Sequence, residues 1–163
     1  MKKVLVVMGS DSDLKVVEKC VDRLKSFDIP TEVRICSAHR TPAAAEQLAK
    51  NAAAEGFGVI IAAAGKAAHL GGVLAAYTTL PVIGVPMATS VMGGMDSLLS
   101  IVQMPKGIPV ATVAIDGADN AAILAAQMIA LSDDALAQKL AQFKADMAAE
   151  VTAKDEKVRA QFA

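Results

Sequence analysis

The stretch Lys3-Val4-Leu5-Val6-Val7-Met8-Gly9-Ser10-Asp11-Ser12-Asp13 decides the fold. Its first six residues form a short, Val-rich apolar run, the pattern of a central parallel strand covered on both faces. Gly9 ends the run, and the serine and aspartate cluster behind it suits a helix start. From Asp13 to about Phe27 the apolar residues Leu14, Val17, Cys20, Val21 and Leu24 recur at steps of three and four. That stripe marks an amphipathic helix, with Ser10 or Ser12 as its cap.

The same strand-to-helix unit repeats along the chain. Pro30 precedes a second strand, Thr31 to Cys36, carrying Val33 and Ile35. Ser37-Ala38-His39-Arg40-Thr41-Pro42 then leads into an alanine-rich helix from Ala43 to about Ala54, with Thr41 suited to the cap and Pro42 to the first helical position. Gly58 to Ala64 reads as a buried third strand, followed by a loop from Gly65 to Gly72. Pro81 to Pro86 and Pro109 to Ile115 supply a fourth and a fifth strand. Between these two, Gly93-Gly94-Met95-Asp96-Ser97 starts a helix that Met104-Pro105 stops, and Asn120 to about Leu131 forms another.

This alternation predicts an α/β fold in three layers, αβα, with a flavodoxin-like, doubly wound, five-stranded parallel sheet. At 163 residues the chain makes one domain, 1–163, with the α/β core in 1–131. Residues 132–160 add a helix whose Leu136, Leu140, Phe143, Met147 and Val151 form an apolar stripe. That stripe has two readings, packing on its own domain or on a neighbouring subunit, and the second is favoured because five strands already have enough helices to cover both faces.

Composition narrows the function. Lys and Arg total 16 against 17 for Asp and Glu, so no net field draws the protein to nucleic acid or anionic lipid. Aromatics are 3% with no Trp, which leaves no platform for stacking bases. Cys20 and Cys36 form neither a disulfide framework nor a zinc motif and read as small buried hydrophobes in a reducing compartment. With no secretory pattern at Met1-Lys2-Lys3 and no apolar run of membrane-spanning length, a soluble cytoplasmic protein is expected.

In an open α/β sheet, ligands bind beyond the carboxyl ends of the strands. Three stretches with chemical content fall there. In Ser10-Asp11-Ser12-Asp13 the backbone N–H groups, hydroxyls and positive helix end suit a phosphate, while Asp11 and Asp13 suit sugar hydroxyls. His39 is one of two histidines, the residue type that moves protons either way near neutrality, and Arg40 beside it offers a fork of donors for phosphate or carboxylate. Ser37 opens that stretch. In Gly65-Lys66-Ala67-Ala68-His69-Leu70 the glycine allows close backbone approach, and Lys66 and His69 could hold a carboxylate. No serine lies in G-x-S-x-G, the cysteines are not placed as nucleophiles, and two histidines make a weak metal signal. The set suits proton transfer on a small phosphorylated sugar compound with no cofactor. Two other modules share this fold. A receiver-like module needs an aspartate at the end of strand three, where Ala62-Ala63-Ala64-Gly65 stands, and a flavin-binding module lacks aromatic partners here.

Met8-Gly9-Ser10-Asp11-Ser12-Asp13, Ser37 to Pro42, Ala67-Ala68-His69-Leu70 and Asp96 to Pro105 closely resemble, in order, motifs of the PurE family of purine biosynthesis. The resemblance covers Met1 to about Leu131. It implies a mutase that converts N5-carboxyaminoimidazole ribonucleotide to 4-carboxyaminoimidazole ribonucleotide without metal or nucleotide. By the family pattern Ser10, Asp13 and Arg40 bind the ribonucleotide, His39 is the general acid and base, and Ala67 to Leu70 form a lid or wall. It also implies a homo-octamer with active sites at subunit junctions.

Two positions depart from the commonest family loop, Lys66 in place of Gly and Gly71 in place of Pro, and Gly71 is expected to loosen the loop. A related class carboxylates aminoimidazole ribonucleotide directly with carbon dioxide and carries a basic residue at the position of Lys66. That class resembles Ser-Ala-His-Lys and lacks the histidine of Ala-Ala-His-Leu. Arg40 and His69 therefore favour the mutase, with the direct carboxylase as the alternative.

Overall fold

In the computed structural model, which describes residues 1–163, five parallel strands form one sheet in the order β2-β1-β3-β4-β5. They are β1 (Lys3–Met8), β2 (Thr31–Ile35), β3 (Phe57–Ala64), β4 (Val82–Pro86) and β5 (Ala111–Thr112). Six helices join and flank them, α1 (Leu14–Ser26), α2 (Pro42–Ala52), α3 (Leu70–Tyr77), α4 (Met95–Val102), α5 (Ala118–Ala130) and α6 (Asp134–Gln161). The strand order reverses direction between β1 and β3, and a crevice opens beyond their carboxyl ends.

Alternation along β1 builds two cores. Val4, Val6 and Met8 face α1 and α5, while Leu5 and Val7 face α2, α3 and α4. Every residue from Val4 to Met8 is buried, which is why this run shows no polar face in the sequence. The helices come close because their inner positions are small. Ala45, Ala49 and Ala52 on α2, and Ala121, Ala122, Ala125 and Ala126 on α5, are fully buried. Gly84 on β4 serves the same end, since a Cβ there would overlap Ile101 of α4.

Three expectations shift against the structure. A helix, α3, begins at Leu70 inside the span expected to be loop, so Gly71 lies in its first turn. Glycines at 71 and 72 hide the helix from propensity, and Gly72 is kept small by Met104, whose Sδ would lie 3.1 Å from a Cβ there. The fifth strand is regular only through Ala111 and Thr112, not from Pro109 to Ile115; beyond them this edge segment keeps to β4 through single bonds, Val113 N donating to Gly84 O and Asp116 N to Pro86 O. The helix α6 divides in two. Leu136 is fully buried, and Leu140 and Phe143 pack on the core of their own chain. Phe143 meets Phe27 edge-on at 5.5 Å and lies under the Arg23 guanidinium. Beyond it Met147, Val151 and Val158 are exposed.

Candidate active site

Four loops at the carboxyl edge of the sheet enclose a cleft of about 690 Å³. The first follows β1. Ser10 caps the short 3-10 turn Asp11–Asp13, its hydroxyl accepting from the Ser12 amide at 3.3 Å. Asp13 in turn caps α1 by position, without a side-chain bond to the helix. Ser10, Ser12 and Asp13 line the cleft, while Asp11 lies apart and lines a smaller adjoining hollow with Ser37, Arg40 and Thr41. Burial, reinforced by the carboxylates of Asp116 and Asp11 and opposed by the Ser12 hydroxyl, holds the Asp13 carboxyl above its usual range.

The second loop joins β2 to α2 and presents Ser37, His39 and Arg40 to the cleft. Pro42 opens α2 as expected, but the Thr41 hydroxyl makes no cap bond to the helix. It turns back instead to donate to Ser37 O at 2.9 Å and to accept from Ser37 N at 3.1 Å, which ties the loop into a closed turn. Ser37 Oγ then accepts from the Arg40 amide and from Arg40 Nε, and Arg40 Nη2 donates to Gly9 O at 3.3 Å. These bonds draw Arg40 toward the β1 loop, so cation and serine turn form one anion-binding corner.

The third loop runs from β3 to α3 and contributes Gly65, Lys66, Ala67, His69 and Leu70. His69 Nδ1 lies 2.8 Å from His39 Nε2, with the rings edge to face. One of these two nitrogens carries the proton that the other accepts, so each ring fixes the tautomer and orientation of its partner. Lys66 sits at φ +57°, a left-handed backbone conformation that costs a residue bearing a Cβ about 1–2 kcal/mol. The other non-glycine residues at positive φ, Asp28 and Asp116, have the short polar side chains that tolerate it. Lysine does not, and uncompensated strain of this kind collects at functional sites.

The fourth wall was missed in the sequence. Met87, Ala88, Thr89 and Ser90 follow β4 and line the cleft. They are held by Asp116, whose Oδ1 accepts from the Ala88 amide at 2.9 Å, and by Asp96, which accepts from Thr89 Oγ1 at 2.8 Å. The available signal was the fold rule itself, since a loop after β4 must reach the same edge. Neither cysteine belongs to the site chemistry. Burial, with the Asp119 carboxylate adding to it, pushes the Cys20 thiol up to about 12. Cys36 is buried below Thr41.

Comparison with known proteins agrees with this architecture. The family model described as AIR carboxylase matches residues 3–150. The N5-carboxyaminoimidazole ribonucleotide mutase of Methanocaldococcus jannaschii is 52% identical over 98% of this chain and 99% of its own. That of Mycobacterium tuberculosis is 53% identical over 94% of this chain and 88% of its own. Among solved structures, Treponema denticola PurE superposes with a TM-score of 0.87 at 30% identity, covering 94% of this chain and 96% of that one. Matched over nearly all of its length by model, sequence and structure, the chain belongs to the AIR carboxylase family, the family of PurE.

Proposed function

We propose that the protein is an N5-carboxyaminoimidazole ribonucleotide mutase of purine biosynthesis, moving a carboxyl group from the exocyclic nitrogen to the adjacent ring carbon. The observation that carries this reading is the His39–His69 pair, 2.8 Å apart, set in the cleft beside the corner made by Ser10, Asp13 and Arg40. The close relatives bear that name over nearly the whole chain.

In this reading the phosphate sits on the Ser10–Asp13 turn and Arg40, and the Asp13 carboxyl meets the ribose hydroxyls. Such fixing of the non-reacting end leaves the ring held against the histidines. The carbon–nitrogen bond of the carbamate breaks, releasing carbon dioxide and leaving its electron pair on nitrogen, which takes a proton from His39. The electron-rich ring carbon then attacks the carbon dioxide, and His39 removes the proton that this carbon still carries. Atoms balance, and His39 ends as it began. One proton has passed from carbon to nitrogen, so a single acid–base group serves both steps. His69 keeps the His39 ring on one tautomer between them, and Ala67, Leu70 and the Met87–Ser90 loop close the cavity around the carbon dioxide.

We further read the protein as cytoplasmic and as a homo-octamer. No helix is long and apolar enough to cross a membrane. Val91, Met92, Met95, Leu99 and Val102 form an exposed apolar face on and before α4, and the distal half of α6 exposes Met147, Val151 and Val158. Faces of this kind favour assembly of copies. The mutase is separated from a direct carboxylase by supplying purified protein with the carbamate, or with aminoimidazole ribonucleotide and carbon dioxide at matched concentration. Preference for the carbamate is expected, and preference for the second pair overturns the reading.

A further inference from the structure

From the cleft's charge distribution we infer that Lys66 determines specificity, its ammonium binding the carboxylate of the imidazole ring and so distinguishing carboxylated ribonucleotides from the uncarboxylated one. The inference rests on the mutase reading. Among the residues lining the cleft only Arg40 and Lys66 carry fixed positive charge. Arg40 is committed, through Gly9 O and Ser37 Oγ, to the corner where the phosphate belongs. The carboxylated ring brings a second anionic group to the far end of the same molecule, and one cation remains for it.

Lys66 is placed to meet it. It follows β3 while Arg40 follows β2, with β1 between them, so the two cations reach the cleft from loops on either side of the β1 turn. Its ammonium has no carboxylate partner within the chain, because the five ion pairs use other residues. The backbone at Gly65 runs near the β4 loop, since a Cβ there would come into ordinary contact with Met87 and Thr89, so the lysine stem begins beside that wall of the cleft. The left-handed turn at Lys66 itself is maintained although glycine would meet it without strain. A mobile point charge on a long stem suits a group that changes position during the reaction, from nitrogen to carbon, better than a rigid fork would.

The test measures equilibrium binding by calorimetry of 4-carboxyaminoimidazole ribonucleotide and of aminoimidazole ribonucleotide, alongside turnover, for the wild type, Lys66→Met, Lys66→Arg and Lys66→Gly. Lys66→Met is expected to weaken the carboxylated ligand about tenfold, as loss of one charge-assisted contact does, and the uncarboxylated ligand less than about twofold. Lys66→Arg retains the discrimination. Lys66→Gly loses it as Met does while relieving the backbone, which separates charge from strain. In turnover the loss falls on KM more than on kcat, because the carboxylate is bound before and after the transfer. Equal weakening of both ligands, or of neither, in a protein whose wild type turns over overturns the role of Lys66 alone. A wild type that neither turns over the carbamate nor binds either ribonucleotide overturns the mutase reading, and the role of Lys66 with it.

Discussion

His39 Nε2 and His69 Nδ1 stand 2.8 Å apart although 30 residues separate them in the chain. The bond exists because β2 and β3 flank β1, so the loops that follow them converge. A neutral pair shares one proton in this bond, and protonating both rings breaks it. His69→Phe is therefore expected to lower kcat by about 10- to 100-fold through loss of the His39 tautomer, with a smaller effect on KM. Steady-state kinetics over a range of pH check this, and an unchanged profile would count against coupling of the two rings.

Asp13 carries a pH signature. Its folded pKa lies above the unfolded value of 3.8, chiefly through burial, so the native state holds this proton more tightly than the unfolded chain does. Its contribution to stability is full below 3.8 and is lost as pH rises through the raised folded value. Above that window the half-buried charge weighs against the folded protein. Asp13→Asn is expected to raise the Tm of the free protein at neutral pH, with the gain fading as pH falls through the window, while ribonucleotide binding weakens. Thermal melts across pH test the sign.

Gly84 and Ile101 make a tight contact between β4 and α4, and Ile101 is fully buried. Gly84→Ala should cost about 1–3 kcal/mol by overpacking. Ile101→Ala removes the Cγ2 that the new methyl would meet, so the double variant should lose less stability than the sum of the two single variants. A denaturant double-mutant cycle measures the coupling.

The halves of α6 should respond differently. Phe143 packs on Phe27 and Arg23, and Arg23 binds Asp119 on α5 at 2.8 Å. Phe143→Ala should destabilise the fold by about 1–3 kcal/mol, less than a fully buried phenylalanine would. Val151→Glu with Val158→Glu should leave the fold of each chain intact and reduce the mass seen by light scattering.

Much of this was legible in the sequence where burial is complete. Continuous apolar runs at 4–8 and 57–64 mark β1 and β3, because both faces of those strands are covered. The serine turn at Ser10–Asp13 and the Thr41-Pro42 helix start were visible as local chemistry. The helix α3 was not, since Gly71 and Gly72 serve close packing at the expense of propensity. Nor was the direct bond between His39 and His69, which depends on strand order and on the turn that closes Ser37 onto Thr41. The divided α6 shows a further limit. One stripe of equal spacing meets its own core at Leu136 and solvent at Val151, and periodicity does not record where the neighbouring elements end.

The most direct measurement is the turnover of N5-carboxyaminoimidazole ribonucleotide by His39→Asn, followed as formation of the carbon-carboxylated product, with ribonucleotide binding measured in parallel. Asparagine keeps the size and polarity of the position but cannot carry the proton from carbon to nitrogen. The account predicts binding within a few-fold of the wild type and kcat lower by about 10²- to 10⁴-fold. Turnover within twofold of the wild type would contradict it.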